Sequence, residues 1–301
     1  MCSSDLEAGL PPGVFNVVHG DKVAVDRILE HPKIAAVSFV GSTPIAHYIY
    51  ETGTHHGKRV QALGGAKNHA IIMPDADIDM AVGALMGAAY GSAGERCMAI
   101  SVAVPVGEKT ANALIEKLVP KIEALKVGPA SDRSSEMGPL VTRLHRQRVL
   151  SYIDAGRDQG AELVVGGGSA VVGGGPSLES DGGYFVEPTV FTATDDSLKV
   201  AREEIFGPVL VAIPYESLEE VAARANDTDY GLAAGVWTRS LTNAHRLASL
   251  LKAGSVYVNC WGEVDPGAPF GGYKASGVGR EHGREGLEAY LETKTVWAKL
   301  G

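Results

Sequence analysis

The sequence contains little cysteine, few aromatic residues and no excess of positive charge. Three cysteines, Cys2, Cys97 and Cys260, occur among 301 residues, and their odd number and wide spacing exclude a disulfide framework. We therefore expect a reducing, cytoplasmic compartment. The formal net charge of -9 argues against a nucleic-acid or anionic-membrane partner, because nothing would offset the repulsion by phosphate groups. No apolar stretch approaches the roughly 20 residues that are needed to span a bilayer.

Glycine is abundant, and short apolar runs alternate with helical patterns along most of the chain. This alternation is typical of α/β proteins. It predicts strands over residues 35–40, 69–73, 100–106, 209–214, 232–238 and 255–259. It also predicts helices from about residue 77, over 111–125 with an interruption at Pro120, and over 217–226 and 241–253.

Three segments stand outside this alternation. Residues 166–183 are rich in glycine, which predicts a flexible surface loop. Residues 291–299 have the composition of a strand but no neighbouring strand, so we expect them to pair with another subunit. Residues 1–6 do not continue the pattern that follows, and we expect them to be foreign to the domain.

Cys97 is the candidate nucleophile. Most intracellular cysteines are small buried apolar residues, and Cys260, beside Trp261 at a strand end, fits that description. Cys97 instead follows a predicted helix and the turn-prone run Gly91-Ser92-Ala93-Gly94. The neighbouring Arg96 is expected to lower the pKa of the thiol. Taken alone, these features leave both interpretations open.

Several motifs occur in a fixed order along the chain. Together they resemble the aldehyde dehydrogenase superfamily from about residue 7 to the C-terminus, and the ordered set is far more specific than any one motif. The motifs are Phe39-Val40-Gly41-Ser42-Thr43, Leu63-Gly64-Gly65-Ala66-Lys67, Gly94-Glu95-Arg96-Cys97, Glu203-Glu204-Ile205-Phe206-Gly207-Pro208-Val209, Val258-Asn259 and Pro269-Phe270-Gly271-Gly272-Tyr273-Lys274-Ala275-Ser276-Gly277.

The resemblance implies cofactor-binding roles for five residues. Gly20 allows close approach of the backbone to the dinucleotide, and Leu63 is also assigned to the cofactor site. Ser42 contacts the pyrophosphate near a helix N-terminus, although a serine there is also typical of a helix cap. Glu204 hydrogen-bonds the nicotinamide ribose and Phe206 packs near the nicotinamide. Without the family, the last two are a solvated charge and a core aromatic residue.

The resemblance also implies the chemistry. The Cys97 thiolate attacks an aldehyde, hydride passes to NAD (NADP is left open), and a thioester remains on Cys97. The backbone N–H of Cys97 helps to hold the oxyanion.

One position departs from the family pattern. Most members carry a glutamate before Leu-Gly-Gly, which activates water to hydrolyse the thioester, whereas this chain has Ala62. The segments around Ala62 and Cys97, up to about residue 165, resemble methylmalonate-semialdehyde dehydrogenase, which transfers its acyl group to CoA. The leading expectation is therefore oxidation of a short semialdehyde, such as malonate or methylmalonate semialdehyde, with CoA as acceptor.

The C-terminal part favours a different branch. From about Tyr184 onward the chain resembles hydrolytic aldehyde dehydrogenases, and Glu281 matches a glutamate assigned to proton relay there. We expect a junction within residues 166–183, between the part that resembles the CoA-acylating branch and the part that resembles the hydrolytic branch. Hydrolysis to a carboxylic acid is the first alternative function. The second is a truncated, inactive fragment with only a binding or structural role, because the first half of the family's cofactor domain has no counterpart before Leu10.

The expected fold is α/β and aldehyde dehydrogenase-like. Residues 1–61 are expected to form a partial Rossmann-type NAD-binding domain, 62–284 an α/β catalytic domain, and 285–301 an oligomerisation strand. The expected partners are a small-molecule aldehyde and further copies of the chain, in a homodimer or homotetramer.

Overall fold

The computed structural model describes residues 7–170, 172 and 183–301. The strands are β1 Ala36–Val40, β2 Arg59–Leu63, β3 Asn68–Ile72, β4 Ile100–Pro105, β5 Glu162–Val165, β6 Thr189–Thr192, β7 Val209–Ala212, β8 Ala233–Trp237, β9 Ser255–Val258 and β10 Gly277–Val278. The helices are α1 Lys22–Glu30, α2 Thr43–His55, α3 Ile78–Tyr90, α4 Glu108–Glu123, α5 Arg143–Asp158, α6 Lys199–Arg202, α7 Leu218–Asn226, α8 Leu241–Leu250 and α9 Gly283–Glu288.

The strands form two sheets. The small sheet has the order β1-β2-β10, with β1 and β2 parallel and joined through α2, and β10 antiparallel to β2. The large sheet has the order β5-β6-β7-β4-β3-β8-β9 and is parallel except where β5 pairs with β6. The interior strand β3 lies between β4 and β8. It is apolar and fully buried at Ala70, Ile71 and Ile72, as expected for a parallel strand that is covered on both faces.

Side-chain caps fix where several helices begin. Asp77 accepts from the Met80 N–H at the start of α3, and Thr142 accepts from the His145 N–H at the start of α5. Each bond satisfies a backbone donor that has no partner within the helix. The start of α3 near residue 77 therefore agrees with the sequence prediction.

The predicted interruption at Pro120 is wrong. Helix α4 continues through Pro120 and ends at Glu123. A proline removes one hydrogen bond, to the carbonyl of Glu116. Because Glu116 and Pro120 are both exposed, water can satisfy that carbonyl, and the helix continues.

Four further expectations are either untested by the structure or modified by it. The predicted loop over 166–183 falls largely outside the described residues, as does the segment 1–6. Residues 291–301 have no regular secondary structure in the single chain, so pairing with another subunit stays a prediction. The expected boundary between residues 61 and 62 falls inside β2, and β10 brings residues from beyond that boundary into the small sheet.

Within residues 7–170, 172 and 183–301, no helix has both the length and the apolar character that crossing a bilayer requires.

Candidate active site

A cleft of about 520 Å³ opens beyond the carboxyl ends of β1 and β2. Ligands of parallel α/β sheets bind at this edge, because the loops diverge there. Residues from both sheets' loops and from α5 line it, and they are Val40, Gly41, Ser42, Thr43, Pro44, Gly64, Gly65, Cys97, His145, Arg148, Tyr152, Glu203, Glu204, Phe206 and Tyr230.

A tight left-handed turn leads from α3 to Cys97. Ser92, Ala93 and Gly94 adopt positive φ angles of 53°, 53° and 72°. Residues with a side chain rarely take this conformation, so Ser92 and Ala93 are locally strained. A β-carbon at Gly94 would overlap the carbonyl of Gly207. Close packing at Gly94 therefore fixes the path of the chain into the Cys97 loop.

The Cys97 thiol is solvent-exposed, yet its pKa is raised. Partial burial of the sulfur is the largest cause, opposed by hydrogen bonds from the backbone N–H groups of Met98 and Cys97 itself. The carboxylates of Glu281 and Glu204 raise the pKa further. The resting thiol is therefore less ionised than an ordinary cysteine, whose pKa lies near about 8.5.

Arg96 contacts the end of α3, and the expected effect of its charge on the thiol pKa stays a prediction. Its guanidinium group donates to the carbonyl oxygens of Gly87 and Ala88 in the last turn of α3. A cation is favoured there, because the last carbonyls of a helix lack partners within it. Arg96 thus anchors the nucleophile loop to α3.

Glu204 lies over the turn that follows β2. Its Oε1 accepts from the Ala66 N–H at 3.0 Å. A β-carbon at Gly65 would overlap the Glu204 carboxylate, so a larger residue there would displace this side chain. Burial raises the pKa of Glu204, against the Ala66 hydrogen bond and the charge of Lys67.

Lys67 holds the backbone of the segment that carries Glu204. The side chain is 3% exposed, and its Nζ donates to the carbonyls of Val200 and Glu203, both at 2.8 Å. Burial lowers the pKa of Lys67 to about 7, while the charges of Glu204 and Glu203 oppose this shift. The ammonium group therefore fixes the chain between α6 and Glu204.

Ser42 occupies the N-cap position of α2, but its hydroxyl makes no capping hydrogen bond to the helix. It lines the cleft together with Thr43 and Pro44. The N-terminus of this 13-residue helix favours an anion through its free N–H groups and its dipole. Ser42 therefore lies on the cleft without acting as a side-chain cap.

Phe206 is held by a contact that the motifs did not reveal. Its φ is 58°, and its carbonyl accepts from Nε2 of His145 at 2.6 Å. The same nitrogen lies 3.5 Å from Oε1 of Glu95, which also accepts from the Val141 N–H at 3.2 Å. The residue two positions before Cys97 is thus linked, through α5, to the loop of Phe206.

The structure brings some of the predicted site residues together and separates others. Cys97, Ser42, Glu204 and Phe206 all line the cleft. Glu281 lies outside the lining but close enough to raise the pKa of Cys97.

Gly20 and Leu63 are not among the lining residues. Gly20 is exposed before α1, and Leu63 is buried at the end of β2, where it accepts from the Gly41 N–H. Ala62 is buried, with 2% of its surface exposed. As an alanine it provides no acidic group at the position where most family members have glutamate.

One face of α5 lines the cleft but belongs to none of the sequence motifs. His145, Arg148 and Tyr152 follow an i, i+3, i+7 spacing, which places them on one side of a helix. Tyr152 donates to Glu203 at 2.6 Å. The spacing was visible in the sequence, but nothing in it indicated that this face meets the cleft.

The chain is similar to proteins of a known family. A model of the aldehyde dehydrogenase family matches residues 4–296. A malonate-semialdehyde dehydrogenase of Pseudomonas aeruginosa is 51% identical over 293 residues, which are 96% of this chain and 58% of that protein. The chain thus spans less than two thirds of the length of this relative.

Two solved structures are closely similar to the structure of this chain. The methylmalonate-semialdehyde dehydrogenase of Oceanimonas doudoroffii has a TM-score of 0.90 and 42% identity, covering 98% of this chain and 61% of that one. The NAD+ complex of an aldehyde dehydrogenase from Bacillus cereus has a TM-score of 0.92 and 40% identity, covering 98% of this chain and 58% of that one. Both similarities extend over nearly all of this chain.

The greater exposure of Cys97 predicts faster alkylation than at Cys260, and the neighbouring carboxylates predict how that rate changes. In the folded protein, iodoacetamide should alkylate Cys97 faster than the partly buried Cys260. Glu281→Gln should accelerate alkylation of Cys97 near neutral pH, since it removes a carboxylate that raises the thiol pKa. The gain should stay below about tenfold, which corresponds to one full pKa unit.

Peptide mass spectrometry against time and pH measures both rates. Glu123→Gln, on the exposed end of α4, removes a distant carboxylate and should leave the rate at Cys97 unchanged. Equal or slower labelling of Cys97 than of Cys260 would refute the assignment of the nucleophile.

Proposed function

The chain belongs to the aldehyde dehydrogenase family, and we propose that it oxidises a short semialdehyde through a thioester on Cys97. Malonate and methylmalonate semialdehyde are the preferred candidates, on the names of its relatives. The observation that carries the proposal is the shared cleft: the exposed Cys97 thiol opens into the same space as Ser42, Glu204 and Phe206. In this proposal the nucleophile and the cofactor site therefore share one cleft.

In the proposed first step, the Cys97 thiolate adds to the aldehyde carbon. The carbonyl oxygen becomes an oxyanion, to which the backbone N–H of Cys97 donates. The carbonyl re-forms as the C–H bond transfers its hydride, and a thioester remains on Cys97. Because the resting thiol pKa is raised, this step requires that the thiol first lose its proton.

NAD fits the residues that line the cleft and supplies the hydride acceptor. In this proposal Ser42 and the N-terminus of α2 bind the pyrophosphate, and the Glu204 carboxylate accepts from the ribose hydroxyls. Phe206, 39% exposed, packs against the nicotinamide. The NAD+ complex of the Bacillus cereus relative supports this choice of cofactor.

CoA is the proposed acyl acceptor. Water needs a base in the transition state, and loss of a general base commonly costs about 10²–10⁴-fold. The buried Ala62 offers none. A thiol is partly ionised near neutral pH and is intrinsically more nucleophilic, so the CoA thiolate can attack the thioester and release Cys97 as thiolate.

Hydrolysis is the second candidate, and Glu281 favours it. Its carboxylate is close enough to Cys97 to raise the thiol pKa. It could therefore accept a proton from a water molecule that attacks the thioester. In that case the product would be a free carboxylic acid.

The activity proposed here is that of the whole protein. The chain spans 58% of the Pseudomonas aeruginosa relative, and we propose that residues 1–61 contribute cofactor binding and 62–284 the chemistry. A fragment with only a binding or structural role would show neither NAD binding nor preferential reaction of Cys97.

We also propose that residues 285–301 mediate assembly into a homodimer or homotetramer. This segment exposes large apolar side chains, among them Val296 at 75% and Trp297 at 92%. Its first residues, 285–288, lie in α9, and the irregular part that follows is held at Leu291, whose carbonyl accepts from Arg59 Nη1 at 2.8 Å. Exposed apolar residues on a segment without secondary structure are compatible with a strand that forms on a partner's sheet.

CoA dependence tests the proposed function. With the native protein, a semialdehyde and NAD, formation of NADH should stall after the first turnover without CoA and continue when CoA is added. Ala62→Glu should allow some hydrolysis if the local geometry matches that of the hydrolytic branch, because it places a base at the position before Leu63. Absorbance of NADH against time is the measurement.

The control for this experiment is Glu281→Gln. If the wild-type protein, which has Ala62, turns over steadily without CoA, and Glu281→Gln abolishes that turnover, the function is hydrolysis and not acyl transfer to CoA. If Glu281→Gln leaves the CoA-dependent rate intact, Glu281 has no part in deacylation.

Removal of residues 288–301 tests the proposed assembly. The truncated chain should shift towards the monomer in light scattering, since it loses the segment that would pair with a partner. Trp297→Ser is a milder variant that removes one exposed apolar side chain and should weaken association in the same direction. An unchanged mass after truncation would contradict the proposal.

A further inference from the structure

Asn68 is a buried amide that joins three segments around the nucleophile. It is 1% exposed, and its Nδ2 donates to the carbonyls of Cys97 and Ala99, both at 2.9 Å. Its Oδ1 accepts from the Ala233 N–H at 3.1 Å. The amide therefore fixes two carbonyls of the Cys97 loop from the first residue of β3.

One of these two carbonyls is coupled to the thiol. The Cys97 carbonyl and the Met98 N–H belong to the same planar peptide group. That N–H is one of the two backbone donors whose influence lowers the pKa of the Cys97 thiol. Any rotation that frees the carbonyl from Asn68 also turns the Met98 N–H away from the sulfur.

We propose that Asn68 is a positioning residue for the nucleophile: it holds the Cys97 carbonyl so that the Met98 N–H faces the sulfur. The inference rests on the proposed role of Cys97 and goes beyond it, because Asn68 acts on the thiolate without contacting substrate. The Met98 N–H stabilises the thiolate and so lowers the thiol pKa. The charged groups that act against it are Glu281 and Glu204.

An asparagine suits this position for a chemical reason. One amide group supplies two N–H donors and an acceptor, and here all three functions are used. An aspartate would turn a carboxylate towards two carbonyl oxygens, and a leucine would leave both carbonyls without the amide donors. Such unpaired buried groups are costly, so the loop is expected to shift in either variant.

Trp261 provides a local comparison within the same turn. Its Nε1 donates to the Met98 carbonyl at 3.1 Å. That carbonyl shares its peptide with the Ala99 N–H, which donates to the Arg96 carbonyl at 3.0 Å and does not act on the sulfur. Loss of the Trp261 bond should therefore disturb the turn without changing the ionisation of Cys97.

The test is the pH profile of Cys97 alkylation in the full chain, with Asn68→Leu as the variant. Iodoacetamide labelling of Cys97 is followed by peptide mass spectrometry, with Cys260 as internal reference. The variant should react about two- to tenfold more slowly near neutral pH, the range for the net loss of one hydrogen bond. Its profile should shift to higher pH, and its rate should converge with that of the wild type where the thiol is fully ionised.

Two variants serve as controls. Trp261→Phe removes the neighbouring hydrogen bond and should leave the midpoint of the profile unchanged. Asn226→Leu removes a distant amide that also bridges two backbone groups, Leu250 at 2.9 Å and Lys252 at 2.7 Å. It removes a similar amide bridge at a more exposed position, and thermal unfolding of both asparagine variants measures the structural cost of each separately.

An unshifted midpoint in Asn68→Leu, or a rate that is reduced equally at every pH, would overturn the inference. If Asn68→Leu does not fold, Asn68→Ser retains one donor and should shift the profile by a smaller amount in the same direction; no shift there would overturn it equally. Failure of the proposed nucleophile is distinguishable, because wild-type Cys97 would then react no faster than Cys260.

Discussion

The hydrogen bonds of the buried connector Gly64–Asn68 hold the site together. This connector carries the chain from β2 of the small sheet to β3 of the large sheet, and all of its residues are buried. Its Ala66 N–H binds the Glu204 carboxylate, Lys67 binds the backbone before Glu204, and Asn68 binds the Cys97 loop. Because buried polar groups must be paired, the same bonds that allow the connector to be buried also place the two functional loops.

The electrostatics of the site follow from this burial. Lys67 and Glu204 are both displaced towards their neutral forms, with the pKa of Lys67 lowered to about 7 and that of Glu204 raised. The Cys97 thiol is likewise held in its protonated form at rest. The backbone N–H groups of Met98 and Cys97 oppose the effect of burial at the sulfur, so the orientation of these two peptides affects how readily the thiolate forms.

The strands and most helices could be predicted from sequence because apolar runs and turn residues mark them directly. The strand predicted over 69–73 corresponds to β3, and the helix predicted from residue 77 to α3. Pro120 was misjudged because exposure of Glu116 and Pro120, which the sequence does not give, decides whether a proline interrupts a helix.

The candidate site was predictable only where a motif carries it. Ser42, Cys97, Glu204 and Phe206 lie in conspicuous motifs and share the cleft. His145 and Asn68 act through backbone carbonyls on loops distant in sequence, and no spacing rule reveals such contacts. The contacts of Arg96 were not predictable either, since its adjacency to Cys97 in sequence gave no information about where its guanidinium group binds.

The central claim is that Cys97 carries an acyl group which CoA, and not water, removes. Mass spectrometry of the Cys97 peptide tests it most directly, after the native protein has been incubated with a semialdehyde and NAD and quenched in acid. The account predicts a stoichiometric acyl adduct on Cys97 that persists without CoA and disappears when CoA is added, with formation of acyl-CoA. Absence of the adduct, or its loss at the same rate with and without CoA, would contradict the account.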